Sequence, residues 1–230
     1  GGFLTPILLS TGQDNPLGLF GYVAILDAGL IIVALNRRWY FLTALAAVGT
    51  AIMQIGWAEK FFVSGKYFEG NKIFIALAVL LGFNTLYLAA NWWAKIRKHP
   101  ENEEPLIAET NQIFSRRWLF GSTLGLVAVA LAFTAWFLDF APLAQRPWLM
   151  FSFVFLVDFV SVALTLLDGK NSAAQSISGF AIFGLLALWT EQSLSNELLN
   201  PALAFYFTFA VVHSALPALL QRLRGVSTQN

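Results

Sequence analysis

Two aspartates, Asp27 and Asp158, stand near the middle of long apolar runs, in segments that read almost alike: Phe20-Gly-Tyr-Val-Ala-Ile-Leu-Asp27 and Phe151-Ser-Phe-Val-Phe-Leu-Val-Asp158. A charge at mid-bilayer costs roughly 2.5–3.5 kcal/mol on insertion scales, so an acid placed there marks a candidate functional site. The chemistry open to it is a proton relay, a cation site or pairing with a cation on a neighbouring helix. The plainer role is an acid hydrogen-bonded at a helix contact. Neither run holds a Lys or Arg at that depth. Asn84 and His213 are the polar residues expected to accompany the two acids. His213 is the one histidine within an apolar run; a hydrogen-bonded packing histidine is the plainer reading, and a ligand or proton shuttle the alternative. His99 lies in a charged segment.

Other chemistry finds little to stand on. There is no H-E-x-x-H and no acid-rich loop with calcium spacing. Haem held between helices needs a second histidine in an apolar run, and cysteine is absent altogether. No nucleophile–base pair or cofactor motif is visible. The expectation is a protein with no catalytic residue, no metal and no cofactor, not an enzyme. A net charge of +1 gives no reason to expect nucleic acid.

The elements that carry these residues follow from composition. Hydrophobic residues are 57% of the chain and charged residues 12%, against about 45–50% and 25% in soluble domains. So much apolar surface needs lipid as solvent. Runs long enough to cross a hydrocarbon core of roughly 30 Å fall near 16–36, 39–59, 72–94, 118–138, 148–167, 173–192 and 199–220. The spacing predicts an all-α, polytopic bundle of about seven transmembrane helices forming a single membrane region over 1–230. The charged stretch from Lys95 to Arg117 reads as a solvated connector, within which Pro105–Phe114 is the alternative place for a short interfacial helix, and Pro217 is expected to close the last helix. Trp39, Trp57, Trp92, Trp93, Trp118, Trp136, Trp148 and Trp189 all fall near helix ends, as an interfacial belt requires. Placing Arg37 and Arg38 in the cytoplasm puts Lys95, Arg97, Lys98, Arg116, Arg117, Lys170, Arg222 and Arg224 there too, leaving only Lys60, Lys66, Lys72 and Arg146 outside. The excess predicts that this segment's N-terminus lies outside and its C-terminus in the cytoplasm.

The matched acids belong to a longer correspondence. Trp57-Ala-Glu59 follows Asp27 by thirty residues, Trp189-Thr-Glu191 follows Asp158 by thirty-one, and Asn84-Thr85 falls opposite His213-Ser214. Helices 1–3 (16–94) thus match helices 5–7 (148–220), a parallel repeat with helix 4 as spacer. Small residues predict close packing: Gly18 and Gly21 on the first helix, and Gly121-Ser-Thr-Leu-Gly125, a G-x-x-x-G, on the fourth. Gln54 and Asn91 are expected to hydrogen-bond between helices.

The opening Gly1-Gly2-Phe3-Leu4-Thr5-Pro6-Ile7-Leu8-Leu9-Ser10-Thr11-Gly12, the helix start Leu19-Phe20-Gly21-Tyr22 and the link Arg37-Arg38-Trp39 resemble a bacterial membrane-protein family known as domain of unknown function 2339. The specific likeness covers roughly residues 1–60. It implies a long, many-spanning protein of which this chain is a part, so that the rest of the polypeptide and membrane lipids are the expected partners. It implies no activity, and it implies that Asn often stands where Asp27 stands here. Pro6 within Phe3–Leu9 suggests a broken or re-entrant helix. Function is therefore expected to be that of a non-enzymatic envelope component or scaffold. The alternative is a small-solute or proton-coupled transporter with a polar path past Asp27, Asp158, Asn84 and His213. The oligomeric state is open.

Overall fold

The computed structural model describes residue 2 and residues 14–37, 39–62, 66–68, 70–96, 105–168 and 173–227. Pro6 and the segments around it lie outside the described residues. No strand occurs among them; the elements are α1 (Pro16–Arg37), α2 (Phe41–Phe61), α3 (Lys72–Ile96), α4 (Pro105–Phe137), α5 (Ala141–Ala144), α6 (Pro147–Asp168), α7 (Ala173–Ser193) and α8 (Leu199–Ser227), with 3-10 turns at Lys66–Phe68 and Asn196–Leu198. A helix stands at each of the seven expected places. Six of the described helices are long and apolar enough to cross a membrane.

Local signals explain the boundaries. α1 opens at Asn15-Pro16: the Asn15 side chain accepts from the Gly18 N–H at 3.1 Å while proline fills the first helical position, where no N–H is needed. Two expectations fail. The stretch 105–114 is neither a connector nor a separate helix, because no proline follows Pro105 before Phe137 and α4 runs on unbroken for 33 residues. Pro217 does not close the last helix either, since α8 continues to Ser227. Proline is tolerated within helices where neighbours re-satisfy the freed carbonyl.

The chain divides into two compact units, Gly1–Ala130 and Leu131–Asn230. In the first, α1 packs against both α2 and α3. In the second, α6, α7 and α8 pack on one another. One expected repeat half falls in each unit. Many apolar side chains remain outward, among them Leu17, Ile25, Phe180 and Phe207, as lipid-facing helices require rather than a soluble bundle.

Candidate functional site

Within the first unit Asp27 is fully buried at 0% exposure. It lies on the α1 stripe formed by Phe20, Val23, Asp27, Ile31 and Ala34, whose three- and four-residue steps keep one face turned inward. Thr50 of α2 donates its hydroxyl to Asp27 Oδ2 at 2.6 Å, and Tyr87 of α3 donates to the same oxygen at 3.2 Å. All three helices of the group thus meet at one carboxyl group. Its other oxygen, Oδ1, is buried with no hydrogen-bond partner among the described residues. Tyr87 Oη also reaches the Thr43 carbonyl at 3.5 Å.

Asn84 is not in that cluster. Its amide donates to the Leu80 carbonyl at 2.9 Å and to the Leu126 carbonyl of α4 at 3.4 Å. Asn91, two turns further along the same face, donates to Thr123 Oγ1 at 2.8 Å. The two asparagines tie α3 to α4, and the residue of α3 that serves Asp27 is Tyr87. The sequence alignment of the third helices was therefore displaced by three residues, close to one turn.

In the second unit Asp158 is buried at 1% exposure. Ser178 of α7 donates to its Oδ1 at 2.8 Å, and His213 of α8 brings Nε2 to 3.0 Å from Oδ2. Here too an acid on the first helix meets a hydroxyl from the second and a ring from the third. Gly179 makes the approach possible: a Cβ there would lie 2.7 Å from His213 Nδ1 and 3.0 Å from Cε1, so only glycine leaves the imidazole its place.

The two groups share a further bracket. Phe20, seven residues before Asp27, meets Trp57 edge-on with ring centroids 5.1 Å apart at 74°. Phe151, seven before Asp158, meets Trp189 at 5.3 Å and 73°. Each indole donates to the segment that precedes its unit's acid-bearing helix: Trp57 to Asp14 Oδ1 at 3.1 Å, Trp189 to the Ala144 carbonyl at 2.8 Å. Trp39, Trp92, Trp93, Trp118 and Trp148 are exposed at helix ends as a belt demands, whereas Trp57 and Trp189 are buried anchors. Around Trp57 stand Phe62, Tyr67 and Phe68, and Lys72 pairs with Asp14 at 3.1 Å while lying over the Tyr67 ring at 5.2 Å. Burial, reinforced by the Asp14 charge, pushes the Tyr67 phenol well above the ordinary tyrosine value.

Two apolar grooves open on the first unit. One of about 850 Å³ runs between α1 and α3 past Gly21, Ala24, Ala78 and Gly82; one of about 620 Å³ runs between α2 and α4 past Ala47, Ala51, Gly121 and Gly125. Neither is lined by Asp27. Gly21, Gly121 and Gly125 face open space, since a Cβ at any of them would meet nothing within 4 Å, while a Cβ at Gly18 would meet only the capping Asn15 side chain. The small-residue faces are therefore not used between the described helices.

Of the four polar residues singled out from sequence, the structure brings Asp158 and His213 together, gives Asp27 to a separate group in the other unit and leaves Asn84 out of both. Thr50, Tyr87, Ser178 and Gly179 were missed. Tyr87 carried a usable signal, because a tyrosine in mid-helix departs from the interfacial habit of that residue. Among the described residues no three of His, Asp and Glu stand close enough to hold a metal ion.

No curated protein and no solved structure matches the chain. A family model does, along residues 1–228, far beyond the opening sixty that carry the motif. The chain belongs to the family of predicted membrane proteins designated domain of unknown function 2339.

Proposed function

We propose that this chain is a non-enzymatic, multi-pass component of the bacterial inner membrane that acts as a scaffold, its N-terminal end outside and its C-terminal end cytoplasmic. One observation carries the reading: Asp27 and Asp158 are each buried and engaged by the other helices of their own three-helix group. Acids held in that way tie helices together, and interhelical hydrogen bonds in membranes contribute on average about 0.6 kcal/mol each, at most about 1.7. The open small-residue grooves suit the docking of further helices. The matching Phe–Trp brackets and acid-centred contacts support a parallel duplication of 16–94 and 148–220.

A second reading, proton-coupled transport, is favoured by the pairing of Asp158 with an ionisable histidine. Proton flux into vesicles carrying the reconstituted protein separates the two. The scaffold predicts that wild type, Asp27→Asn and Asp158→Asn all leave the proton permeability of the vesicles unchanged, whereas Asp158→Asn lowers resistance to unfolding. A wild-type flux that Asp158→Asn abolishes would establish transport instead.

A further inference from the structure

The face of α6 that carries Asp158 stays polar toward the helix's C-terminal end. Ser161 and Thr165 follow at steps of three and four residues, which keeps them on the same side. On α7, Gln175 precedes Ser178 by three residues and shares its side. The five side chains are buried, Ser161 at 0%, Gln175 at 3% and Ser178 at 4% exposure. Only four residues separate α6 from α7, so the two run antiparallel, and the Ser178–Asp158 hydrogen bond sets their register. One turn from that bond, forward on α6 and backward on α7, brings Ser161 level with Gln175.

Two atoms in this seam have no hydrogen-bond partner among the described residues, Ser161 Oγ and Gln175 Nε2. Leaving such groups dry in an apolar medium costs several kcal/mol each. Buried water characteristically occupies such places, bonding two to four otherwise unsatisfied polar groups. The seam has the right extent for access. From Asp158 to Thr165 is about 10 Å and to the end of α6 about 15 Å at 1.5 Å per residue, half of a 30 Å core.

We infer that the α6–α7 seam holds a short file of ordered water that reaches Asp158 and His213 from the membrane surface at the C-terminal end of α6. The inference goes beyond the scaffold reading and does not need transport. Water in the seam hydrates the acid–histidine pair whether or not protons cross the remaining half of the bilayer, so labelling and the vesicle assay fail separately.

Thiol labelling tests it, because this chain contains no cysteine to interfere. A small polar thiol reagent acts on the thiolate, which needs water. Ser161→Cys and Ser178→Cys in the full protein in nanodiscs should label about tenfold faster than Val154→Cys, the factor that a one-unit difference in thiol ionisation produces. Val154 is equally buried and sits one turn before Asp158, toward the N-terminal end of α6 and so beyond the seam. Hydroxyl-radical footprinting of the unsubstituted protein is the second measurement, since radicals form in place from bound water. His213 should be oxidised while Met150, fully buried, is spared. Labelling at Ser161→Cys no faster than at Val154→Cys, or oxidation of His213 no greater than that of Met150, overturns the inference.

Discussion

Gly179→Ala is the sharpest probe of the second acid-centred group, because one methyl group reports on a contact that two other helices make. In the middle of a helix this exchange ordinarily stabilises, by roughly 0.5–1 kcal/mol, since alanine has less backbone freedom to lose. At Gly184, on the same helix, a Cβ meets nothing within 4 Å, and Gly184→Ala should show that ordinary gain. At Gly179 the Cβ would lie 2.7 Å from His213 Nδ1 and 3.1 Å from its Cγ, too close for the ring to stay where it is. The imidazole must swing away, giving up its 3.0 Å approach to Asp158. Overpacking of this kind costs about 1–3 kcal/mol, and the lost interhelical contact adds about 0.6–1.7. Set against the helix gain, the net effect is a loss of about 1–4 kcal/mol. Unfolding by sodium dodecyl sulfate in mixed micelles, followed by helical circular dichroism, measures it. His213→Ala in the same background removes the obstructing ring, so the double variant should be more stable than the sum of the two singles by about 0.5–3 kcal/mol. Gly179→Ala as stable as Gly184→Ala, or a double variant that is simply additive, would refute the contact.

Three further outcomes follow from the same geometry. Asp27→Asn should cost less than about 1 kcal/mol, because the amide oxygen still accepts from Thr50 and Tyr87, whereas Asp27→Leu strands both hydroxyls and should cost several times more; equal losses in micellar unfolding would count against the assigned donors. Trp57→Phe and Trp189→Phe keep the ring contact and delete the indole N–H, and each should cost about 1–3 kcal/mol, with Trp189→Phe the larger because it leaves the Ala144 carbonyl without its donor. The raised Tyr67 value has a definite sign: the unfolded chain loses its phenolic proton near pH 10 while the folded chain keeps it, so stability is full below that pH and falls as pH rises further. Tyr67→Phe should flatten that alkaline decline in a pH series of unfolding curves.

The helices were legible because a run of twenty apolar residues has few other fates, and their order followed from the polar breaks between them. The acids were legible for the same energetic reason, since a carboxyl group in such a run is costly enough to need a use. Their partners were not. Threonine and serine are cheap in apolar helices and mark no position by type. Which turn of α3 faces Asp27 depends on how α3 slides along α1, a shift set by connections and packing that residue matching does not encode. Hence Asn84 was aligned with His213 although Tyr87 occupies the equivalent place. The tryptophans misled in a related way. All eight sit near helix ends, and position alone does not tell an indole in the headgroup region from one turned inward against Phe20 or Phe151.

If the two halves descend from one unit, what they share is informative about what the unit needs. The acid, the phenylalanine two turns before it and the tryptophan on the next helix occur in both, with nearly the same ring geometry. The donors differ: Thr50 lies seven residues before its tryptophan, Ser178 eleven before its own, and Tyr87 stands where His213 does. A carboxyl group offers about four lone-pair sites on two oxygens, so donors one turn apart, or on different helices, can satisfy it equally well. The acid's position thus constrains how the three helices meet, while donor identity is free to set the chemistry. Threonine and tyrosine leave Asp27 an acceptor at a helix junction, a role an asparagine could fill. His213 gives Asp158 an imidazole partner instead, and the seam in which Ser161 Oγ and Gln175 Nε2 lack partners among the described residues begins at that acid.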